Sequence, residues 1–158
     1  MPKIELTTII DAPIERCFDL ARSIDLHKLS TAGTDEEAIA GVMSGLIGKN
    51  EQVTWKAKHF GITQKLTSKI TEFEYPFHFR DEMTEGPFKM IRHDHLFQAF
   101  EGGTIMHDKF EFESPGGIIG TWVNKIFLTK YLRRLITQRN RMIKAVAEGE
   151  QWRNIITQ

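Results

Sequence analysis

Along most of this chain apolar and polar residues alternate, and the period of the alternation divides it into strands and helices. From Lys3 to Ile10, Ile4, Leu6, Thr8 and Ile10 face one way and Lys3, Glu5, Thr7 and Ile9 the other, which predicts a half-buried strand. Asp11-Ala12-Pro13 then supplies a capping side chain and a residue with no amide hydrogen to lose. A helix is therefore expected from Ile14 to about Ala21, with Ile14, Cys17, Phe18 and Ala21 in one stripe. A second helical turn is expected near Asp25 to Leu29, after a break at Ser23. Residues 30–50 are rich in Gly, Ser and Thr, with a short strand predicted at Glu36 to Val42 and a glycine-punctuated turn through Ser44-Gly45-Leu46-Ile47-Gly48. A connection of that length is a usual place for a lid over a cavity mouth.

The next sixty residues read as a meander. Glu51 to Phe60 sets Val53, Trp55, Ala57 and His59 against Lys56 and Lys58, and Gly61 reverses the chain. Between Ile62 and Phe73 the expected inner face is Ile62, Gln64, Leu66, Ser68 and Ile70, with Lys65, Thr67, Lys69 and Thr71 outward. After a turn at Glu74-Tyr75-Pro76, Phe77, Phe79, Asp81 and Met83 point inward and His78, Arg80 and Glu82 outward. Gly86-Pro87 precedes the stretch Phe88 to Phe100, which sorts into Ile91, His93, His95, Phe97 and Ala99 against Met90, Arg92, Asp94, Leu96 and Gln98. Glu101-Gly102-Gly103 signals a hairpin, and Thr104 to Glu113 returns with Met106, Asp108, Phe110 and Phe112 on its apolar face and His107, Lys109 and Glu111 on the other. Ser114-Pro115-Gly116-Gly117 ends the sheet. A helix from Ile118 to about Ala147 follows, ~45 Å long at 1.5 Å per residue, with Trp122, Leu128, Leu132, Leu135, Met142 and Val146 close to one stripe.

One strand, two short helices, six further strands and a long terminal helix is an order that resembles the START-like (SRPBCC) helix-grip superfamily, with its polyketide cyclase and lipid-transfer branches. The motifs that carry the resemblance span essentially the whole chain. They are Gly41 with Ser44-Gly45-Leu46-Ile47, Val53-Thr54-Trp55 with Ala57-Lys58-His59-Phe60-Gly61, Leu66-Thr67-Ser68 with Ile70, Phe79-Arg80-Asp81-Glu82-Met83 with Gly86-Pro87-Phe88, and His93-x-His95-x-Phe97 with Gly103-Thr104 and Asp108. Within the superfamily the chain looks closer to a bacterial branch whose members are largely uncharacterised. The resemblance implies an α+β helix-grip fold, a curved seven-stranded antiparallel sheet wrapped around a long C-terminal helix, with two short helices after the first strand. It also implies an apolar cavity between sheet and helix, without naming an activity, because transporters, cyclases and receptors share this scaffold.

Composition narrows the partners. A chain of 158 residues is expected to form a single ligand-binding domain across its whole length. Lys plus Arg and Asp plus Glu both number 21, so no global field draws it to nucleic acid or anionic lipid. The local run Lys130, Arg133, Arg134, Arg139 and Arg141 reads as the solvated face of a helix. A lone cysteine, Cys17, excludes an intramolecular disulfide and a Cys-based metal cluster, and its helical surroundings suit a small buried residue. The alternating N-terminus is unlike a signal peptide and no apolar stretch is long enough to span a membrane, so a cytoplasmic location is the expectation.

If the face assignments hold, the interior collects Trp55, His59, Gln64, Asp81, Met83, His93, His95 and Asp108 among Phe77, Phe79, Phe97, Phe110, Phe112 and Trp122. That is an apolar cavity with a polar seam, suited to a small hydrophobic or aromatic ligand such as a lipid, a polyketide or an isoprenoid-like molecule. Three readings of the seam stay open. Asp81 and Asp108 can accept hydrogen bonds from the histidines as a structural network. The same groups can orient a ligand, and His93 or His95 with Asp108 can serve as general acid and base in cyclase- or isomerase-type chemistry. His93 and His95, with Asp108 or His59, can in principle share a metal, although a lone HxH is a weak signal. Binding without chemistry is favoured over catalysis, and neither a metal nor another cofactor is expected. His78 and His107 are expected in solvent. No nucleophile elbow, phosphate-binding glycine loop or Rieske pattern is present. An interaction protein, or a homodimer built on the basic end of the long helix and the tail from Trp152 to Gln158, is the remaining class.

Overall fold

Seven strands form one antiparallel sheet in the order β1-β7-β6-β5-β4-β3-β2. They are β1 Lys3–Ile10, β2 Glu37–Gly41, β3 Gln52–His59, β4 Ile62–Glu74, β5 His78–Glu85, β6 Met90–Phe100 and β7 Gly103–Glu113. The helices are α1 Ile14–Ala21, α2 Ile24–Ser30, the long α3 Thr121–Glu148 and the short α4 Trp152–Ile156. The computed structural model describes residues 2–114 and 121–156, the latter with side chains from 125 onward. The expected sheet end at Pro115-Gly116-Gly117, the expected helix start at Ile118 and the Trp122 side chain lie outside the described residues. No helix among the described residues is long and apolar enough to cross a membrane.

Five successive hairpin-linked strands, β3 to β7, make the body of the sheet, β1 closes on β7 and β2 on β3. The chain must therefore cross the whole sheet between β1 and β2, and α1 and α2 make that crossing. Ser23 starts α2 by accepting a hydrogen bond from the Leu26 amide at 3.1 Å, and it is buried while doing so. Ser23→Ala is expected to cost about 1 kcal/mol, a drop of a few degrees in the melting temperature, readable by thermal unfolding. Asp11, expected to cap α1, does not. Pro13 holds the N-cap position with no side-chain hydrogen bond, and the Asp11 amide instead donates to Glu148 Oε2 at the end of α3.

Among the described residues the ladder is irregular at three places, between Ala38 and Ala40 in β2 and, in β4, between Thr67 and Ser68 and between Ile70 and Glu72. The last of these changes which side chains face inward. The register between β4 and β5 shifts between Ile70 and Glu72, so Thr71 is an extra residue in the ladder and its buried Oγ1 has no hydrogen-bond partner among the described residues. The bulge moves the following side chains to the opposite face, which turns Phe73 inward to pack against Phe18 at 5.3 Å. Three further inward assignments are corrected by the sheet's ends. Ile62 is exposed beside the β3–β4 turn and Ala99 is exposed near the β6–β7 hairpin, both beyond the packed interior. Phe77 precedes β5 in a turn after the cis Tyr75–Pro76 bond, and more than half of it is exposed.

The packed core lies at one end. Phe18 of α1 meets Phe73, Tyr75, Phe79 and Phe97 at ring distances of 5.1–5.3 Å, with Met106, Ile143 and Val146 fully or nearly fully buried beside them. Cys17 is buried in this cluster, and burial pushes its thiol further up from the thiolate, as suits a small core residue. On α3 the buried positions are Ile136, Arg139, Asn140, Ile143, Val146 and Ala147, spaced by three and four along one face. The expected stripe is rotated from this one, with Leu128, Leu132, Leu135 and Met142 only half-buried. Its centre escapes a hydrophobic count because two of its members are an arginine and an asparagine.

Candidate functional site

The two histidines of β6 are buried, as the alternation of that strand requires, with His93 6% and His95 2% exposed. Asp81 on β5 lies directly across from His93, and Asp108 on β7 directly across from His95. The hydrogen bonds nevertheless run diagonally. His93 Nε2 donates to Asp108 Oδ1 at 2.8 Å and His95 Nε2 donates to Asp81 Oδ2 at 2.7 Å. The crossing brings the imidazoles together with ring centroids 3.8 Å apart, and His95 also stacks on Phe79 at 4.1 Å and 12°.

From α3 comes a third charge. Arg139 donates through Nη2 to Ala21 O at 2.9 Å and to His95 Nδ1 at 3.3 Å, and through Nη1 to Asn140 Oδ1 at 3.0 Å. Its Nη1 stands 3.7 Å from Asp108 Oδ1. Asn140 Nδ2 completes the Asp108 carboxylate by donating to Oδ2 at 2.7 Å, while Ser68 donates to Asp81 Oδ1 at 3.2 Å. The basic run expected as a solvated face is thus corrected at Arg139, which is 8% exposed and turned into the protein because position 139 falls on the buried face of the helix.

These contacts determine protonation. A guanidinium only donates, so His95 Nδ1 must accept, and its single proton is on Nε2 facing Asp81. His95 is therefore neutral. Burial, then the charges of His93 and Arg139, pull its pKa down to about 4 against the raising effect of Asp81. Burial opposes the Asp81 charge, but the His95 hydrogen bond and the nearby His95, His93 and Arg139 charges outweigh it and lower the carboxyl to about 2. Asp108 is likewise held well below the usual carboxylate range. Burial again opposes its charge, and the His93 hydrogen bond and the surrounding positive groups prevail.

One position in the seam is left over. His93 Nδ1 has no hydrogen-bond partner among the described residues, and His93 lines a cavity of about 420 Å³ between the sheet and α3. Trp55, His59, Gln64, Phe79, Asp81, Met83, His95 and Phe110 also reach the cavity wall. Four other expected residues do not. Phe77 sits on the outer face near His78, Leu96 and His107. Phe97 packs into the core against Phe18, Phe112 is fully buried behind Phe110, and Asp108 lies behind His93. Trp122 has no described side chain. Alternation alone cannot separate these cases, because a residue on the inner face can meet another residue as readily as an empty space.

The cavity wall also takes Leu66, Ile91, Leu128, Tyr131, Leu132, Leu135 and Ile136, together with Arg139, which sequence reasoning left out. At its rim, His59 Nδ1 and the Tyr131 hydroxyl are 2.5 Å apart, and the His27 ring lies 4.3 Å from Trp55, tilted by 37°, while its Nε2 meets Glu36 at 2.8 Å. From the connection through residues 30–50 come Thr31, Glu36 and Ile47. His27 had no legible role, since it precedes its partner Glu36 by nine residues with an irregular turn between them.

Asp81, His93 and His95 each offer a ligand atom within 4.8 Å of the others, which is close enough to hold one cation. A metal there would displace both the His95–Asp81 bond and the Arg139 donor, and it would lie beside a guanidinium, so the donor set fits a hydrogen-bond network better than a metal centre. On the outer face of the sheet, Glu72, His78 and Asp94 form a second such group, already paired with Arg80 through Asp94 at 2.8 Å and Glu72 at 2.9 Å. His78 is therefore held in a surface ion network, with its Nε2 2.7 Å from Asp94 Oδ1, rather than free in solvent. His107 is partnered as well, its Nδ1 2.9 Å from Thr7 Oγ1.

The family described as "Polyketide cyclase / dehydrase and lipid transport" matches residues 1–148. No curated protein matches the chain in sequence. Among solved structures, TTHA0849 from Thermus thermophilus superposes with a TM-score of 0.71 at 19% identity, over 92% of this chain and 99% of that one. Ginseng major latex-like protein 151 from Panax ginseng gives 0.65 at 13% identity, over 94% of this chain and 98% of that one. The di-domain ARO/CYC BexL from the BE-7585A biosynthetic pathway gives 0.74 at 13% identity, over 94% of this chain and 50% of that one. At these identities the likeness is one of fold.

Proposed function

We propose that this chain, which belongs to the polyketide cyclase / dehydrase and lipid transport family, encloses one small apolar or aromatic molecule between its sheet and α3 and orients it by a hydrogen bond to His93. The observation that carries this reading is the His93 Nδ1 atom, the one imidazole nitrogen of the seam without a described partner, on the wall of a largely apolar cavity. A ligand hydroxyl, phenol or enol that donates to that nitrogen satisfies it. The seam sets the Asp81 and Asp108 carboxylates beside a single guanidinium, so a ligand carboxylate entering there meets two like charges.

A matched pair of probes tests this. 2-Naphthol should quench the tryptophan fluorescence on binding, and 2-naphthoate should bind about tenfold or more weakly, because its charge loses hydration without gaining a partner. His93→Gln can keep an N–H toward Asp108 while removing the Nδ1 acceptor, and it should weaken naphthol binding by roughly tenfold or more, the worth of one buried hydrogen bond. Equal affinity for both probes, or no effect of the substitution in a folded variant, defeats the reading. Native mass spectrometry of freshly purified protein would identify a natural ligand directly.

A second reading is favoured by Asp108 behind His93. That carboxylate would stabilise an imidazolium formed when Nδ1 takes a proton from a carbon acid, as enolisation requires. Among the candidates only His93 suits this role, since both nitrogens of His95 are engaged. Deuterium exchange into benzoylacetone, faster with the protein and not with folded His93→Gln, would support it.

A further inference from the structure

We propose that the end of the molecule built from the β3–β4 turn and the first half of α3 docks on the surface of an anionic phospholipid bilayer. Phe60, Ile62, Ile126 and Phe127 are each 55–61% exposed there. They are not scattered. The Phe60 ring lies 5.4 Å from Phe127 and 4.7 Å from Tyr131, so the strand turn and the helix present their apolar side chains together. Single exposed apolar residues are ordinary on a protein surface, whereas a contiguous group marks contact with something else.

Phe60 adds a backbone observation. With Gly61 it forms a two-residue turn in which both residues have positive φ, 54° and 76°. Such turns favour Asn, Asp or Gly at the first position, and a bulky aromatic there is strained. The strain holds an aromatic ring at the very tip of the hairpin, where a smaller residue would make the turn better.

Charge decides what the patch fits. Residues 114–147 contain seven Lys and Arg and no Asp or Glu, within a chain whose net charge is zero. Along α3, Lys130 and Arg133 follow Ile126 by four and seven residues, and Tyr131 and Arg134 follow Phe127 at the same spacing. The cations thus stand one and two turns behind the apolar tips, about 5 and 10 Å along the axis. Across the strand turn, Lys56 and Lys65 face each other directly, a like-charge pair that does nothing for the sheet. Lys58, Lys65, Lys130, Arg133 and Arg134 are exposed, and none makes an ion pair with a described residue. Apolar tips ringed by unpaired cations match an interface in which acyl chains lie beneath anionic headgroups. Phe60, Leu128 and Tyr131 also belong to the cavity wall, so docking would bring the cavity rim against the lipid.

Flotation of the full chain with phosphatidylcholine vesicles, with and without phosphatidylglycerol, tests the proposal. Binding should require phosphatidylglycerol and weaken with salt. Lys130→Glu with Arg133→Glu and Arg134→Glu should reduce the partition coefficient about a hundredfold or more, at roughly fivefold per cation. Ile62→Ser with Phe127→Ser should abolish binding at unchanged net charge. Neither variant touches the cavity wall, so retained binding of 2-naphthol, or an unchanged circular dichroism spectrum should the cavity prove not to take that probe, separates lost docking from lost fold. Equal binding to neutral vesicles, or full binding by either folded variant, overturns the proposal. So does a dimer, seen by light scattering, that dissociates in the Ile62/Phe127 variant without any vesicle binding by the original chain, since a second copy would then be the occupant.

Discussion

Arg139→Met is expected to destabilise the protein by about 3–5 kcal/mol, because it leaves the buried Asp108 carboxylate without the cation 3.7 Å away. In a chain of 158 residues that is a fall in melting temperature on the order of 10 °C. The loss has several parts. Ala21 O loses its donor, His95 Nδ1 is left unsatisfied, and Asn140 loses the contact that orients its amide toward Asp108. Arg139→Lys should recover little, since one ammonium cannot place donors on three groups that a planar guanidinium reaches from two nitrogens. Chemical unfolding of the two variants beside the original measures this. A loss below 1 kcal/mol for Arg139→Met would mean that the seam tolerates its charge, against the geometry given above.

Acid should destabilise the fold well before ordinary carboxylates titrate. An unfolded histidine binds its proton near 6.5, whereas folded His95 does so only near 4. Between those values the unfolded state holds more protons, so stability rises with pH. The contribution of His95 is complete above pH 6.5 and disappears as the pH falls through the window, at about 1.4 kcal/mol per unit and roughly 3 kcal/mol in all. Below it the carboxylates act in the same direction. Asp81 keeps its charge down to about 2 and Asp108 is also lowered, so the stability they add is present above the unfolded value of 3.8 and is lost as the pH falls further. Urea midpoints at a series of pH values would give the slope, and His95→Gln should remove about one proton from it between pH 6.5 and 4. An unchanged slope in that variant would assign the effect to another group.

The elements were legible because their causes are local. Alternation placed β1, β3, β6 and β7, and it predicted α1 from Ile14 to Ala21 with the same bounds the structure has. Local rules failed where a distant group intervened. Asp11 was expected to cap α1, but the N-cap position falls on Pro13, two residues later, and the Asp11 amide donates instead to Glu148, 137 residues away. The bulge at Thr71 cannot be read from a strand whose alternation looks unbroken, since it depends on how β4 pairs with β5. Arg139 was assigned by residue type to solvent and Asn140 was given no role, and only the face of α3 that meets β6 and β7 gives them carboxylate and imidazole partners.

For the seam, the sequence by itself determined that His93, His95, Asp81 and Asp108 share the inner face of one sheet, because a side-chain period of two leaves no other choice. Which histidine meets which carboxylate was beyond it. The pairs lie across the sheet in one combination and hydrogen-bond in the other, and a third element, α3, decides the matter by giving His95 a donor that His93 lacks. Hydrogen bonding is directional and short in range, so a difference of a few ångströms in three dimensions leaves one imidazole closed and its neighbour open. Strand periodicity put both histidines inside, and the packing of α3 made only one of them available to a ligand.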